Sequence, residues 1–200
     1  GQPGVLYRIP ALGGSPQRLM ARLDSPIAFS PDGKKLAFVR SEFPSKEESA
    51  LIVANSDGTG EQTLATRKMP ERFAPLYFVG PSWSPDGTRI ATAVAGFDAG
   101  FTYKAIAVNV SDGTETVLTK QDWGYIGRVE WLPDGKGAVM NAREQTGSYR
   151  QVWYLSLSDG TARPLTNDFV DYRSLSVTAD GTRLVTAQSD RLAAGWVGPL

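Results

Sequence analysis

Phe29-Ser30-Pro31-Asp32-Gly33, Trp83-Ser84-Pro85-Asp86-Gly87 and Trp131-Leu132-Pro133-Asp134-Gly135 are three spellings of one phrase, and Val177-Thr178-Ala179-Asp180-Gly181 is a decayed fourth. Successive copies start 54, 48 and 46 residues apart. A period in this range marks a repeat architecture, so the chain reads as one small unit written several times. The phrase itself is a turn. Proline presets φ for the first corner, aspartate bonds its own backbone, and glycine takes the left-handed position that closes a bulged hairpin.

Apolar stretches flank each turn, Ile27-Ala28-Phe29 before the first and Leu36-Ala37-Phe38-Val39 after it, which predicts one hairpin per repeat. A second hairpin follows around Ser56-Asp57-Gly58, Ser111-Asp112-Gly113 and Ser158-Asp159-Gly160. Asp-Gly between apolar runs is the strongest short hairpin signal. Each repeat is therefore four antiparallel strands, A to D. The runs are apolar at successive positions, as suits strands covered on both faces. Four-stranded sheets that cover one another are propeller blades. The fold class is all-β, a β-propeller with three complete blades and partial blades at both ends. The expected spans are a partial blade over 4–23, blades over 26–66, 80–119 and 127–166, and a partial blade over 174–198 around Gly195-Trp196-Val197. Either the end pieces combine and close a four-bladed ring, or the chain is an excerpt of a larger propeller. The excerpt is the favoured expectation, with open blade edges then available for self-association.

Composition narrows the chemistry. The chain has 200 residues with 21 basic and 21 acidic side chains, a formal net charge of zero, no cysteine and no histidine. Neutrality gives no bulk attraction to nucleic acid or to a membrane surface. Basic and aromatic residues interleave from Arg67 to Phe73, but Glu71 interrupts them. Without histidine or cysteine, this chain alone assembles neither a Ser-His-Asp nor a Cys-His hydrolase, and the commonest metal ligands are missing. The recurring aspartates are read as turn formers rather than as a carboxylate site. The expectation is a non-enzyme without metal or cofactor.

The Ser-Pro-Asp-Gly turn, its apolar strand and the Ser-Asp-Gly hairpin together resemble the TolB-like propeller repeat, a relative of the WD repeats, over nearly the whole chain. Leu6-Tyr7-Arg8-Ile9-Pro10 with Gly13-Gly14-Ser15-Pro16, and later Leu165-Thr166-Asn167-Asp168 with Asp171-Tyr172-Arg173, also resemble the propeller that follows a serine/threonine kinase domain in some soil bacteria. That resemblance implies a sensor or interaction region of a longer bacterial signalling protein, placed outside the cytoplasm. Similar propellers also gate peptidases of the prolyl-oligopeptidase type, whose catalytic domain is elsewhere.

In a propeller the Asp-Gly turns share one face, and the B–C and D–A connections form the other. The B–C set is expected at 41–49, 96–102 and 143–149, and the D–A set at 67–82, 120–127 and 167–174. These segments hold Arg67, Lys68, Arg72, Phe73, Tyr77, Phe97, Phe101, Trp123, Tyr125, Tyr149, Phe169, Tyr172 and Arg173. Aromatic and arginine enrichment is the composition of interface hot spots. The expected function is binding of a protein or peptide, or of a small ligand at the propeller axis. Arg72, Phe101, Trp123, Tyr125, Tyr149 and Tyr172 are the anchors and clamps.

Overall fold

The computed structural model describes residues 4–74, 79–98 and 100–189, all strands, turns and loops without a helix. Tyr77 and the strand expected at Gly195-Trp196-Val197 lie outside the described residues. A first hairpin pairs β1 (Gly4–Arg8) with β2 (Gln17–Leu23). The first complete blade is a four-stranded sheet of β3 (Ala28–Phe29), β4 (Lys35–Ser41), β5 (Glu48–Asn55) and β6 (Gln62–Lys68) in that order. The second blade departs from the four-strand plan. Both β7 (Glu71–Phe73) and β8 (Ser82–Trp83) pair with β9 (Arg89–Gly96), which continues to β10 (Thr102–Asn109) and β11 (Glu115–Val117).

The third blade runs β12 (Tyr125–Trp131), β13 (Gly137–Arg143), β14 (Gln151–Ser156) and β15 (Ala162–Pro164). The last hairpin has β16 (Asp171–Tyr172) opposite β19 (Gln188–Ser189), and β17 (Ser176–Val177) opposite β18 (Leu184–Val185). It is an A–B pair whose strands are each broken once. Its sheets hold no strand of the β1–β2 hairpin.

The central strands are buried along nearly their whole length, as the unbroken apolar runs require. Five successive residues of β4 and six of β9 are buried. Leu36, Phe38 and Val39 are fully enclosed, and each such side chain contributes roughly 1.5–3 kcal/mol by leaving water. Because β9 and β13 are long, their A partners must reach past the turn phrase. Arg72 therefore lies opposite Ala95 and Tyr125 opposite Arg143, so the second sheet starts at Glu71, the third at Tyr125 and the last at Asp171. These strand starts shorten the D–A connections relative to the expected 67–82, 120–127 and 167–174.

Two devices recur at the joints between blades. The Trp83 indole N–H donates to the Ala28 carbonyl at 3.1 Å, and the Trp131 indole N–H to the Ser82 carbonyl at 3.0 Å. Each A-strand tryptophan thereby clasps the A strand before it. The glycine of each C–D turn abuts the outer strand of the preceding blade. A Cβ on Gly58 would stand 3.0 Å from the Leu19 carbonyl oxygen, one on Gly113 2.4 Å from that of Leu64, and one on Gly160 3.0 Å from that of Leu118. By this measure β2 plays the part of a D strand to the first blade. Arg40, buried in β4, strengthens that joint by donating to the carbonyls of Arg22 and Ala21 while pairing with Glu61 at 2.9 Å.

The turns close as their residues dictate. The Ser84 hydroxyl donates to Asp86 at 2.6 Å and accepts the Arg89 N–H at 2.9 Å, while Asp86 accepts from both Thr88 groups. Led by the Ser84 bond, these hold the Asp86 carboxyl down at about 2. In the decayed copy the Thr178 hydroxyl makes the same pair of bonds, to Asp180 and from Arg183. Leu132 has no hydroxyl and packs instead with the cluster of Val139, Val152, Tyr172 and Leu175.

Candidate interaction surface

With the Asp-Gly turns gathered on one face, the opposite face is made by the connections 42–47, 97–101 and 144–150 within blades, and 69–70, 118–124 and 165–170 between them. Four large aromatic side chains stand exposed in these connections: Phe97, Phe101 at 52%, Tyr149 at 39% and Phe169 at 84%. They form two groups. Phe97 meets Phe101 edge to face at 4.9 Å, Phe101 meets Tyr103 at 5.2 Å, and Tyr103 meets Tyr125 at 5.5 Å. This row runs from the second blade onto the third. The Arg150 guanidinium continues it, 5.3 Å from the Tyr125 ring and paired with Asp171 at 3.0 Å. The second group is Tyr149 and Phe169, edge to face at 6.2 Å.

Burial sets the electrostatics of the row. It pushes the Tyr103 phenol up to about 12 and the Tyr125 phenol above its ordinary value, since desolvation disfavours the charged phenolate. Burial also raises Asp171, but the bonds from the Arg150 side chain and N–H outweigh it and leave the carboxyl below its usual range.

The six expected anchors are not alike. Phe101 and Tyr149 are exposed, and Tyr125 is half-buried between Tyr103 and Arg150. Trp123 is fully enclosed, bridged to Tyr103 through two backbone hydrogen bonds and set against Trp153 at 4.8 Å. It is a core residue, because the chain turns inward to add a bridge to the edge of β10. Tyr172 is 5% exposed, and its hydroxyl donates to Asp168 at 2.7 Å and accepts from Gln188 at 3.0 Å. Arg72 sits on β7 and donates to the Lys46 carbonyl at 3.2 Å, a strut from the second blade to the first. Phe73 is core, and Arg67 on β6 is held by Glu71 and Glu115.

Two adjoining cavities open on this face and share Ser148. The larger, about 560 Å³, lies among Glu144, Tyr149, Trp153, Asn167, Asp168 and Phe169. The smaller, about 290 Å³, lies among Tyr125, Arg143, Arg150 and Asp171. Glu144, Arg150 and Gln151 escape a search by residue type, since single charged or amide side chains in loops carry no pattern. The signal available is position: all three belong to the B–C connection of the third blade or its border. Among the described residues no group of three or more His, Cys, Asp or Glu side chains converges as metal ligands would.

No protein-family model matches the chain, and no curated protein matches it. Its backbone does match solved structures. TolB from Acinetobacter baumannii superposes with a TM-score of 0.70 at 21% identity, over 91% of this chain and 42% of that one. A putative TolB from Agrobacterium tumefaciens gives 0.71 at 20% identity, over 94% and 64%. A prolyl endopeptidase structure gives 0.57 at 16% identity, over 87% of this chain and 28% of the other. The chain thus spans less than two thirds of the length of these structures. Its fold is that of a TolB-like β-propeller.

Proposed function

We propose that this chain is a non-catalytic propeller region that binds a protein or peptide segment on its long-loop face, as the sensing or interaction part of a larger bacterial protein. The observation that carries the reading is the gathering of Phe97, Phe101, Tyr149 and Phe169, all exposed, on the connections of one face. Such rings present large area with few rotatable bonds, and loops pinned at both ends by sheet lose little entropy on binding. The ion pair of Arg150 and Asp171 between the two groups adds a fixed polar point.

The test is selection of peptides from a displayed random library on the immobilised chain. The selected peptides are then titrated against Phe101→Ala, Tyr149→Ala and Phe169→Ala combined, with Phe29→Ala on the other face as control. A loss of roughly tenfold or more per hot-spot ring is expected for the combined variant and none for the control. Peptides that bind both variants equally, or a library that yields none, would overturn the reading. A second reading has a specific support in the prolyl endopeptidase match: a propeller accompanying a hydrolase whose catalytic residues lie on another domain. Under it, this face would line the passage for substrate.

A further inference from the structure

The larger cavity has a one-sided charge. Glu144 and Asp168 are both on its wall, and no lysine or arginine is. Three aromatic side chains, Tyr149, Trp153 and Phe169, share the same wall. The nearest arginines are engaged elsewhere. Arg143 donates to the carbonyls of Gly147 and Gly124, and Arg150 is bound to Asp171. Among the described residues neither Glu144 nor Asp168 has a cationic partner within ion-pair distance. Asp168 accepts the Tyr172 hydroxyl, and that bond keeps its carboxyl below the ordinary range and therefore charged at neutral pH.

The rings are set as two walls of a corner. Tyr149 and Phe169 are inclined at 77° with centroids 6.2 Å apart. A cation seated in such a corner lies within about 6 Å of both centroids, where the ring quadrupole attracts it. The Trp153 N–H is already given to the Ala142 carbonyl at 3.1 Å, so its contribution to the cavity is apolar area. Aromatic walls with carboxylates beside them and no competing cation are the chemistry that recognises a guanidinium or ammonium group.

Resting on the peptide-binding reading above, we propose that this cavity receives an arginine or lysine side chain of the partner segment, with Tyr149 and Phe169 against the cation and Glu144 and Asp168 balancing its charge. The cavity, at about 560 Å³, has room for the side chain and for part of the backbone that carries it. The partner segment is thereby basic at one position, whatever its other residues are.

The probe is acetyl-Gly-Gly-Arg-Gly-Gly-amide, titrated into the whole chain while the backbone amides of 144–151 and 165–169 are followed by NMR. The same peptide with citrulline, which keeps the shape and removes the charge, is the comparison. The arginine peptide should move these signals saturably, and Glu144→Gln and Phe169→Ala should each weaken it by about fivefold, the scale of one ion pair or one cation–π contact. Both residues are exposed, so neither variant threatens the fold. Equal binding of the citrulline peptide, or no response to the arginine peptide at millimolar concentration, overturns the proposal. If neutral library peptides still bind and still depend on Phe169, only the basic-side-chain assignment has failed. If no library peptide binds either, the peptide-binding reading has failed with it.

Discussion

Gly113 and Gly135 hold the same left-handed backbone, with φ of 73° and 66°, but not the same surroundings. Nothing lies within 4 Å of a Cβ built on Gly135, whereas on Gly113 it would collide with the Leu64 carbonyl of the neighbouring blade. Gly135→Ala should therefore cost only the backbone term, about 1–2 kcal/mol. Gly113→Ala should cost that and roughly 1–3 kcal/mol more for parting two blades. Urea unfolding of both variants decides it, and equal losses would refute the packing role of the C–D glycine. At this scale letters can mislead. Thr178 looks like decay of the serine position yet keeps the hydroxyl and both of its bonds, while Leu132 changes the chemistry. A sequence reading weighs the two substitutions alike because it sees identity, whereas the turn needs only an oxygen at that place.

An A strand in this molecule is defined by what it clasps. Trp131 donates to the buried Ser82 carbonyl and lies under the Arg89 guanidinium at 4.8 Å. Trp131→Phe keeps most of the apolar area and removes that bond, while Ser82 keeps its place opposite Ala91 in the ladder, so stability should fall by about 0.5–1.5 kcal/mol. Thermal unfolding unchanged from the parent chain would show that water or a shifted neighbour replaces the indole. Strands B and C are plain in the sequence, because runs of up to five apolar residues, such as Ala50 to Ala54, next to Asp-Gly leave little choice. The A strands were only half legible. The turn phrase marks their ends, but their beginnings at Glu71, Tyr125 and Asp171 are set by the length of the B strand opposite. In the second blade the gap between β7 and β8 also hid the start, and it accounts for the longer first spacing. The same ambiguity explains the anchors. Trp123 and Tyr172 read in the sequence like loop aromatics because both stand in irregular segments, yet one adds a bridge to β10 and the other belongs to β16. Phe101 and Tyr149, at the tips of B–C connections, are exposed.

For the molecule as a whole, the turns act together on pH. Asp32, Asp86 and Asp180 in A–B turns, and Asp57, Asp112 and Asp159 in C–D turns, all have carboxyls below the ordinary value through hydrogen bonds to neighbouring hydroxyls and backbone N–H groups. A group whose pKa is depressed by folding binds more protons when unfolded, so its contribution is complete above the unfolded value and is lost as pH falls through the folded one. With no histidine in the chain, no side chain of ordinary pKa titrates near neutrality. The urea midpoint should be flat from about pH 8 to pH 5 and fall steadily below about pH 4, the loss continuing toward the Asp86 value of about 2. A midpoint that drifts between pH 5 and 8, or holds steady to pH 2, would contradict this account.

The junctions between blades are not made of one material. Indole-to-carbonyl clasps close the joints at Trp83 and Trp131, but the last hairpin has Val177 in that place. It is fastened instead by Arg150 on Asp171 and by the Asn141 amide on the Tyr172 carbonyl. Dissolved salt weakens the first of these modestly, the pair being mostly enclosed, and leaves the indole clasps untouched. Ion pairs thus cross two of the joints, Arg67 with Glu71 and Glu115 between the first and second blades and Arg150 with Asp171 at the last hairpin, and only the last joint lacks an indole clasp beside its ion pair. Since Arg150 and Asp171 also line the smaller cavity of the long-loop face, ionic strength reaches the binding face through the mortar of the last joint.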